Sequence, residues 1–144
     1  MELRRLTTVE QMLPHFELVR QLTASLTFEE YKALLAAMIP HNYAMIAAFE
    51  GDRCLGLSGY WIGHKLYSGK YMEIDNFIVD ESAREQGIGG ALVDQLEEEA
   101  RNEGCRVLML DAYVENFNAH RFYYRQGFHA RGFHYLKQLG TGAR

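Results

Sequence analysis

The stretch from Glu73 to Gly90 constrains this chain most, because it passes from strand to glycine-punctuated loop to helix without a break. Tyr71 to Val79 ends in Phe77-Ile78-Val79, an aromatic and β-branched run that favours a pleated, half-buried surface. The strand should end near Asp80. Asp80-Glu81-Ser82-Ala83 is short and polar, and Arg84-Glu85-Gln86-Gly87-Ile88-Gly89-Gly90 leads into an amphipathic segment. From Ile88 to about Asn102, Ile88, Leu92, Leu96 and Ala100 recur four apart on one stripe, which predicts a helix. Gly104 stands just past its end, where a left-handed residue commonly closes a helix.

Strand, glycine loop and helix start together make an anion site. Glycines let backbone approach a ligand closely, the first amides of the helix point outward, and the helix dipole adds positive potential. Arg84 adds a charge, so a phosphate or pyrophosphate is the natural guest. A nucleotide-triphosphate loop would need Lys and Ser or Thr after its last glycine, and none follows Gly87 or Gly89. A dinucleotide fingerprint would need a third glycine where Leu92 stands.

Arg84-x-x-Gly87-x-Gly89 opening a helix after a strand resembles motif A of the GNAT superfamily of N-acetyltransferases. A second segment, Asn116-Phe117-Asn118-Ala119-His120-Arg121-Phe122-Tyr123-Tyr124-Arg125-Gln126-Gly127-Phe128, is similar to that family's Asn-x-x-Ala-x-x-aromatic-Tyr-x-x-x-Gly-Phe run. The resemblance implies that the backbone of Arg84, Glu85, Gln86, Gly87, Ile88, Gly89 and Gly90 holds the pyrophosphate of acetyl-CoA. It implies that the pantetheine arm lies along the strand at Phe77, Ile78 and Val79, with an amide near Ile78 or Val79 polarising the thioester carbonyl. It assigns Tyr123 as general acid to the departing thiolate and Asn116 to the pantetheine, with Ala119 in register beside them, while Arg125 and Arg121 either reach the CoA phosphates or are solvated. Two departures stand out: Glu81 occupies a neighbourhood where the family often has Pro, and Glu85 lowers the positive potential of the loop.

The expected fold is α/β, with a mixed, mostly antiparallel sheet that splays at one parallel strand pair, flanked by about four helices. Leu3–Leu6 reads as a first strand, followed by a helix capped by Thr7 or Thr8 and running to about Arg20, with Pro14 as an irregularity. Thr27-Phe28-Glu29-Glu30 has the form of a capping box, with Tyr31, Leu34, Leu35 and Met38 as the apolar stripe and Pro40 as the stop. By family analogy these helices line one side of the acceptor pocket. Residues 42–50 and 53–62 read as a hairpin about Gly51-Asp52, and Gly63 to Lys70 as an exposed loop. Strand 71–79, helix 88–102 and strand 107–111 form a right-handed βαβ unit. Asn116 caps a helix over 117–126 that Gly127 ends, residues 128–130 and 132–139 resemble closing β segments, and 140–144 form a frayed tail.

Acetyl transfer to an alkyl amine requires removal of a proton from a group whose ordinary pKa is about 10.4. Glu73 and Asp75 have the same parity on the strand and face one side unless a bulge intervenes, so Glu73 is the expected base or water-positioner, with Asp75 next. The five histidines weighed, His41, His64, His120, His129 and His134, lack metal-ligand spacing, and no metal is expected. Without an activated Cys or a Ser-His pair, transfer is direct within a ternary complex.

At 144 residues the chain suits a single domain over 1–144. The net charge of −4 disfavours nucleic acid as a partner and suits a cationic amine, whether a small molecule or a protein amine. Cys54 and Cys105 read as reduced thiols. No signal peptide or membrane-length apolar run occurs, so no membrane association and a cytoplasmic location are expected. A homodimer is expected to form, if at all, through the C-terminal strands. The competing readings are a non-catalytic acyl-CoA-binding or sensing domain and a structural domain with an empty cleft. Tyr123 and Asn116 weigh against the sensor, which needs no acid for a thiolate.

Overall fold

The computed structural model describes residues 1–140 and divides into two compact units, one over 1–110 and one from Asp111 onward. In the first unit, β1 (Glu2–Leu6), β2 (Tyr43–Glu50), β3 (Arg53–Lys65), β4 (Gly69–Val79) and β5 (Val107–Leu110) form one sheet in that order. All neighbours are antiparallel except β4 and β5, the expected parallel pair. Tyr43 through Phe49 of β2 are all buried, so the sheet is covered on both faces.

On one face, Tyr43, Met45, Ala47 and Phe49 join Met12, Leu18, Val19, Tyr31 and Leu35 in a core. Alternation turns Ala44, Ile46 and Ala48 to the other face. There the helix α4 (Ile88–Asn102) buries Ile88, Leu92, Val93, Leu96 and Ala100. The stripe read from the sequence is the buried one. Gly104 (φ 77°) closes α4, with Cys105 N–H donating to Ala100 O at 2.8 Å.

Thr8 caps α1 (Val9–Met12) in a capping box with Gln11. Pro14 falls in a 3₁₀ turn, Leu13–His15, before α2 (Phe16–Val19), because proline cannot donate into an α-helical ladder. Thr27 caps α3 (Phe28–Met38) with Glu30, as the sequence implied, and Tyr31 and Leu35 are buried. Leu34 is not: it is 46% exposed, so the buried stripe is narrower than expected. Residues 9–19 form one bent helical run, which with α3, α4 and α5 (Phe117–Arg125) makes four helical segments among the described residues.

Two expectations are corrected. The loop read over 63–70 is mostly strand: Gly63, His64 and Lys65 pair with Tyr71, Lys70 and Gly69, leaving only 66–68 as the turn. Cross-strand pairing outweighs the polar composition, and Gly69 supplies a left-handed turn residue at φ 72°. The closing β segments read over 128–130 and 132–139 are not strands. A strand exists only by pairing, and among the described residues this run has no ladder partner. Of the tail read over 140–144, Thr141 to Arg144 lie outside the described residues.

In the second unit, Asn116 Oδ1 accepts from Ala119 N–H at 3.2 Å and caps α5. At the other end, Gly127 (φ 94°) and Phe128 return their amides to Tyr124 O and Tyr123 O at 3.1 and 3.0 Å. This is a Schellman closure, and it ends the helix where the sequence placed its glycine.

Candidate functional site

The β4–β5 ladder runs only from Tyr71↔Val107 to Ile74↔Leu110, while β4 continues to Val79. From Asp75 to Val79, β4 is paired with β3 on one side and has no β5 partner on the other. This is the splay. It leaves the β5-side edge of these residues outside the parallel ladder, leading into the glycine loop.

A bulge shapes that edge. Gly59 pairs with Asp75 and Leu57 with Ile78, so two β4 residues, Asn76 and Phe77, stand opposite Ser58 alone. Asn76 absorbs the extra residue at φ 61°, a conformation that Asn tolerates better than most side chains. Tyr43 Oη donates to Asn76 Oδ1 at 3.0 Å. Burial pushes the Tyr43 phenol pKa well up, so it remains a donor. The bulge falls after Asp75, so Glu73 and Asp75 do share one face, opposite the buried Met72 and Ile74. Trp61 Nε1–H donates to Asp75 Oδ2 at 3.0 Å, and the Trp61 ring lies 4.9 Å from that of Tyr43.

Beyond Val79, Asp80 caps the 3₁₀ turn Glu81–Ala83 by accepting from Ser82 N–H at 2.9 Å and Ser82 Oγ at 2.6 Å. Arg53 reaches both Ser82 and Asp80. Hydrogen bonds from the Ser82 hydroxyl and amide hold the Asp80 carboxyl below its usual range. Gln21 Nε2 approaches Asp80 Oδ2 at 3.5 Å, beside an open depression of about 380 Å³ lined by Glu17, Arg20, Gln21 and Ala24. This connection is therefore tied down before the glycines begin.

Arg84, Glu85, Gln86 and Gly87 are exposed, with Glu85 and Gly87 both left-handed at φ 65° and 78°. No side chain caps α4, and helix geometry leaves the amides of Gly87, Ile88, Gly89 and Gly90 without intrahelical acceptors. A Cβ added at Gly87 would meet nothing within 4 Å, so there is room over the loop. Buried Ile88 pins the helix start to the sheet. Gly56 permits that approach, because a Cβ there would lie 3.2 Å from Ile88 Cγ2 and 3.0 Å from Ile78 O.

On α5, the Tyr123 ring is packed edge-on to Phe122 and Phe128 at centroid distances of 5.2 and 5.6 Å. Burial pushes its pKa up to about 12, so it carries its proton throughout the physiological range. Ala119 is half-buried and Arg125 exposed. Arg121 bonds to Asn118.

The sequence profile described as Acetyltransferase (GNAT) family matches residues 9–128. The chain belongs to this family. As a GNAT N-acetyltransferase it has relatives of known name: it is 27% identical to the aminoalkylphosphonate N-acetyltransferase of Salmonella typhimurium over 96% of this chain and 91% of that one. It is 25% identical to an uncharacterized N-acetyltransferase of Bacillus subtilis over 84% of this chain and 86% of that one. Among solved structures, a Trypanosoma brucei acetyltransferase superposes with a TM-score of 0.78 at 26% identity, covering 96% of this chain and 99% of the other. An aminoglycoside N-acetyltransferase in complex with CoA shares the fold at a TM-score of 0.82 and 21% identity, over 95% and 94% of the two chains.

Tyr43, Trp61 and Asn76 were not singled out from the sequence, although they surround Asp75. Trp61 is the chain's one tryptophan and stands opposite Glu73 in the ladder, but that register becomes visible only when the strands are paired. Among the described residues, no group of three or more potential metal ligands occurs, and no helix is long and apolar enough to cross a membrane.

Proposed function

We propose that this GNAT enzyme transfers the acetyl group of acetyl-CoA directly to the primary amine of a small cationic acceptor. The observation that carries the reading is the end of the β4–β5 ladder at Ile74, with β4 running on through 75–79 to a helix start at Gly87 to Gly90 that no side chain caps. In this reading the amides of Arg84 to Gly90, with the Arg84 guanidinium, receive the pyrophosphate, and the β4 backbone at Phe77, Ile78 and Val79 pairs with the pantetheine amides. An Ile78 or Val79 N–H polarises the carbonyl. The family match runs through both compact units, which supports their working as one domain. The cytoplasm, where acetyl-CoA and reduced Cys54 and Cys105 coexist, is the proposed compartment.

The acceptor enters as an ammonium, and Glu73, directly or through a water, takes one proton to give the nucleophile. Nitrogen attacks the thioester carbon, the C–N bond forms, and collapse of the tetrahedral species breaks C–S. The second nitrogen proton ends on sulfur, so the products are amide, thiol and one proton released to solvent. Tyr123, near pKa 12, is a weaker acid than a thiol of ordinary pKa about 8.5, so complete proton transfer from it is uphill. Its contribution is a hydrogen bond that strengthens as the sulfur becomes anionic. Asn116 Oδ1 is taken by the helix cap, which leaves its Nδ2 hydrogens as the donors to CoA, beside Ala119 and Arg125. Asp75, held by Trp61, attracts the ammonium rather than moving its proton. The named acceptors of two relatives, an aminoalkylphosphonate and an aminoglycoside, are small amines and support the acceptor class.

Calorimetry with acetyl-CoA and thiol release with an amine panel test this reading. Wild type should bind and turn over. Gly89→Trp should abolish binding, whereas Tyr123→Phe should bind normally and release thiol about 10²-fold more slowly. Binding without turnover on any amine would overturn the enzymatic reading, and unchanged turnover in Tyr123→Phe would remove the hydrogen bond assigned to Tyr123.

A further inference from the structure

Acetylation of one amine needs one proton acceptor, yet two carboxylates stand side by side on β4. Residues opposite each other in a ladder share a face, so Trp61 stands with Glu73, Gly59 with Asp75, and Tyr43 with Trp61. All of these lie on one side of the sheet, within the first unit. Glu73 and Asp75, two positions apart, have Cα atoms about 7 Å from each other.

Trp61 fixes Asp75. Its indole packs against the Tyr43 ring at 4.9 Å, and its Nε1–H donates to Asp75 Oδ2 at 3.0 Å. Gly59, on the rung opposite Asp75, has no side chain, and the Tyr43 phenol occupies that space with its hydroxyl turned to Asn76. Half-buried Asp75 therefore has aromatic rings around it and a neutral donor on one oxygen. A carboxylate offers about four acceptor positions, of which the indole fills one. Among the described residues no ion pair includes Asp75. Lys65 shares the face of Trp61 but stands about 13 Å further along β3. Its Nζ lies over the Tyr67 and Tyr71 rings, 5.8 and 5.3 Å from their centroids. A carboxylate held beside aromatic rings, with no basic side chain paired to it, suits a cation brought by a ligand.

The nitrogen that reacts is a poor match for such a fixed charge. It enters as an ammonium and leaves as a neutral amide, so a contact made only to it stabilises the bound acceptor more than the transition state. A charge that the reaction does not remove keeps its contact throughout. Its binding energy then orients the acceptor.

We propose that Asp75 and Trp61 form a specificity subsite for a second, non-reacting cation of the acceptor. The preferred acceptors are dications whose two nitrogens are separated by four or five methylene groups, a span comparable to that between the two carboxylates. The subsite rests on the acetyl transfer proposed above, with Glu73 serving the nitrogen that reacts.

Thiol release should be compared for 1,4-diaminobutane, 1,5-diaminopentane, butylamine and 5-aminopentanoate. The diamines should exceed butylamine in kcat/KM by about 10–100-fold, as expected of a hydrogen bond to a charged group. The carboxylate of 5-aminopentanoate should make it the poorest of the four. Asp75→Asn keeps the side-chain shape and an acceptor for the indole, and the ratio of diamine to butylamine should fall towards one. A second readout needs no turnover. Trp61 is the chain's one tryptophan, so its emission reports on this subsite. Titration with 1,5-diaminopentane should change that emission saturably in wild type and not in Asp75→Asn. Equal kcat/KM for diamine and butylamine, or an emission that diamine leaves unchanged, would overturn the subsite while leaving acetyl transfer standing. A saturable, Asp75-dependent change in emission without turnover on any amine would instead overturn acetyl transfer and support the subsite.

Discussion

At the scale of single residues, Gly59 controls the surroundings of Asp75. A Cβ there would lie 2.0 Å from Tyr43 Oη and 2.7 Å from Asp75 O, so the phenol can cross β3 to reach Asn76 only because position 59 has no side chain. Gly59→Ala should lower stability by about 1–3 kcal/mol, the usual cost of overpacking, as read by denaturant unfolding. Combining it with Tyr43→Phe should cost less than the sum of the two changes, because the second removes the nearest clashing atom. Strict additivity would mean that the two side chains do not meet. None of this was legible in the sequence: Gly59 looks like any strand glycine until Tyr43 is placed over it.

At the scale of elements, signals carried within a few residues were legible. Thr27 and Glu30 form the capping box their spacing implied, and Ile88, Leu92, Leu96 and Ala100 bury the stripe they marked. Thr27→Ala should cost about 1 kcal/mol, with the loss appearing as fraying of α3 in amide exchange. Features that depend on a distant partner were not legible. β3 runs to Lys65 because Gly69, Lys70 and Tyr71 are there to pair with it, and residues 128–139 form no strand because they pair with no edge among the described residues. The candidate site follows the same division. The loop over 84–90 and the cap at Asn116 could be read from local pattern, whereas the Trp61–Asp75 bond required the register of two strands.

For the whole molecule, buried titratable groups set the pH range of stability. Desolvation lowers the pKa of His15 in the folded chain, so the unfolded state binds more protons near and below the ordinary value of 6.5. Its contribution is present above that value and is lost as pH falls. Stability should therefore decline between about pH 7 and 5, and His15→Leu should flatten this part of the profile. At the alkaline end the sign reverses. Burial raises the pKa values of Tyr31, Tyr43 and Tyr60, so the unfolded chain releases those protons first and stability should fall as pH rises past about 10. Tyr43→Phe should reduce the alkaline slope in thermal melts taken at successive pH values.

The left-handed residue at Asn76 also acts as an alignment mark. Two plain alternating strands can slip by two residues and still present the same faces, but β3 and β4 meet a bulge that fits opposite Ser58 alone. A slipped hairpin would leave the extra residue stranded and would separate Tyr43 from its acceptor. Length changes in the short turn over 66–68 should therefore be absorbed at the turn, like slack taken up at one end of a belt whose teeth are already engaged. Such tolerance would let the tip of the hairpin vary while the distance from Glu73 to the start of α4 stays constant.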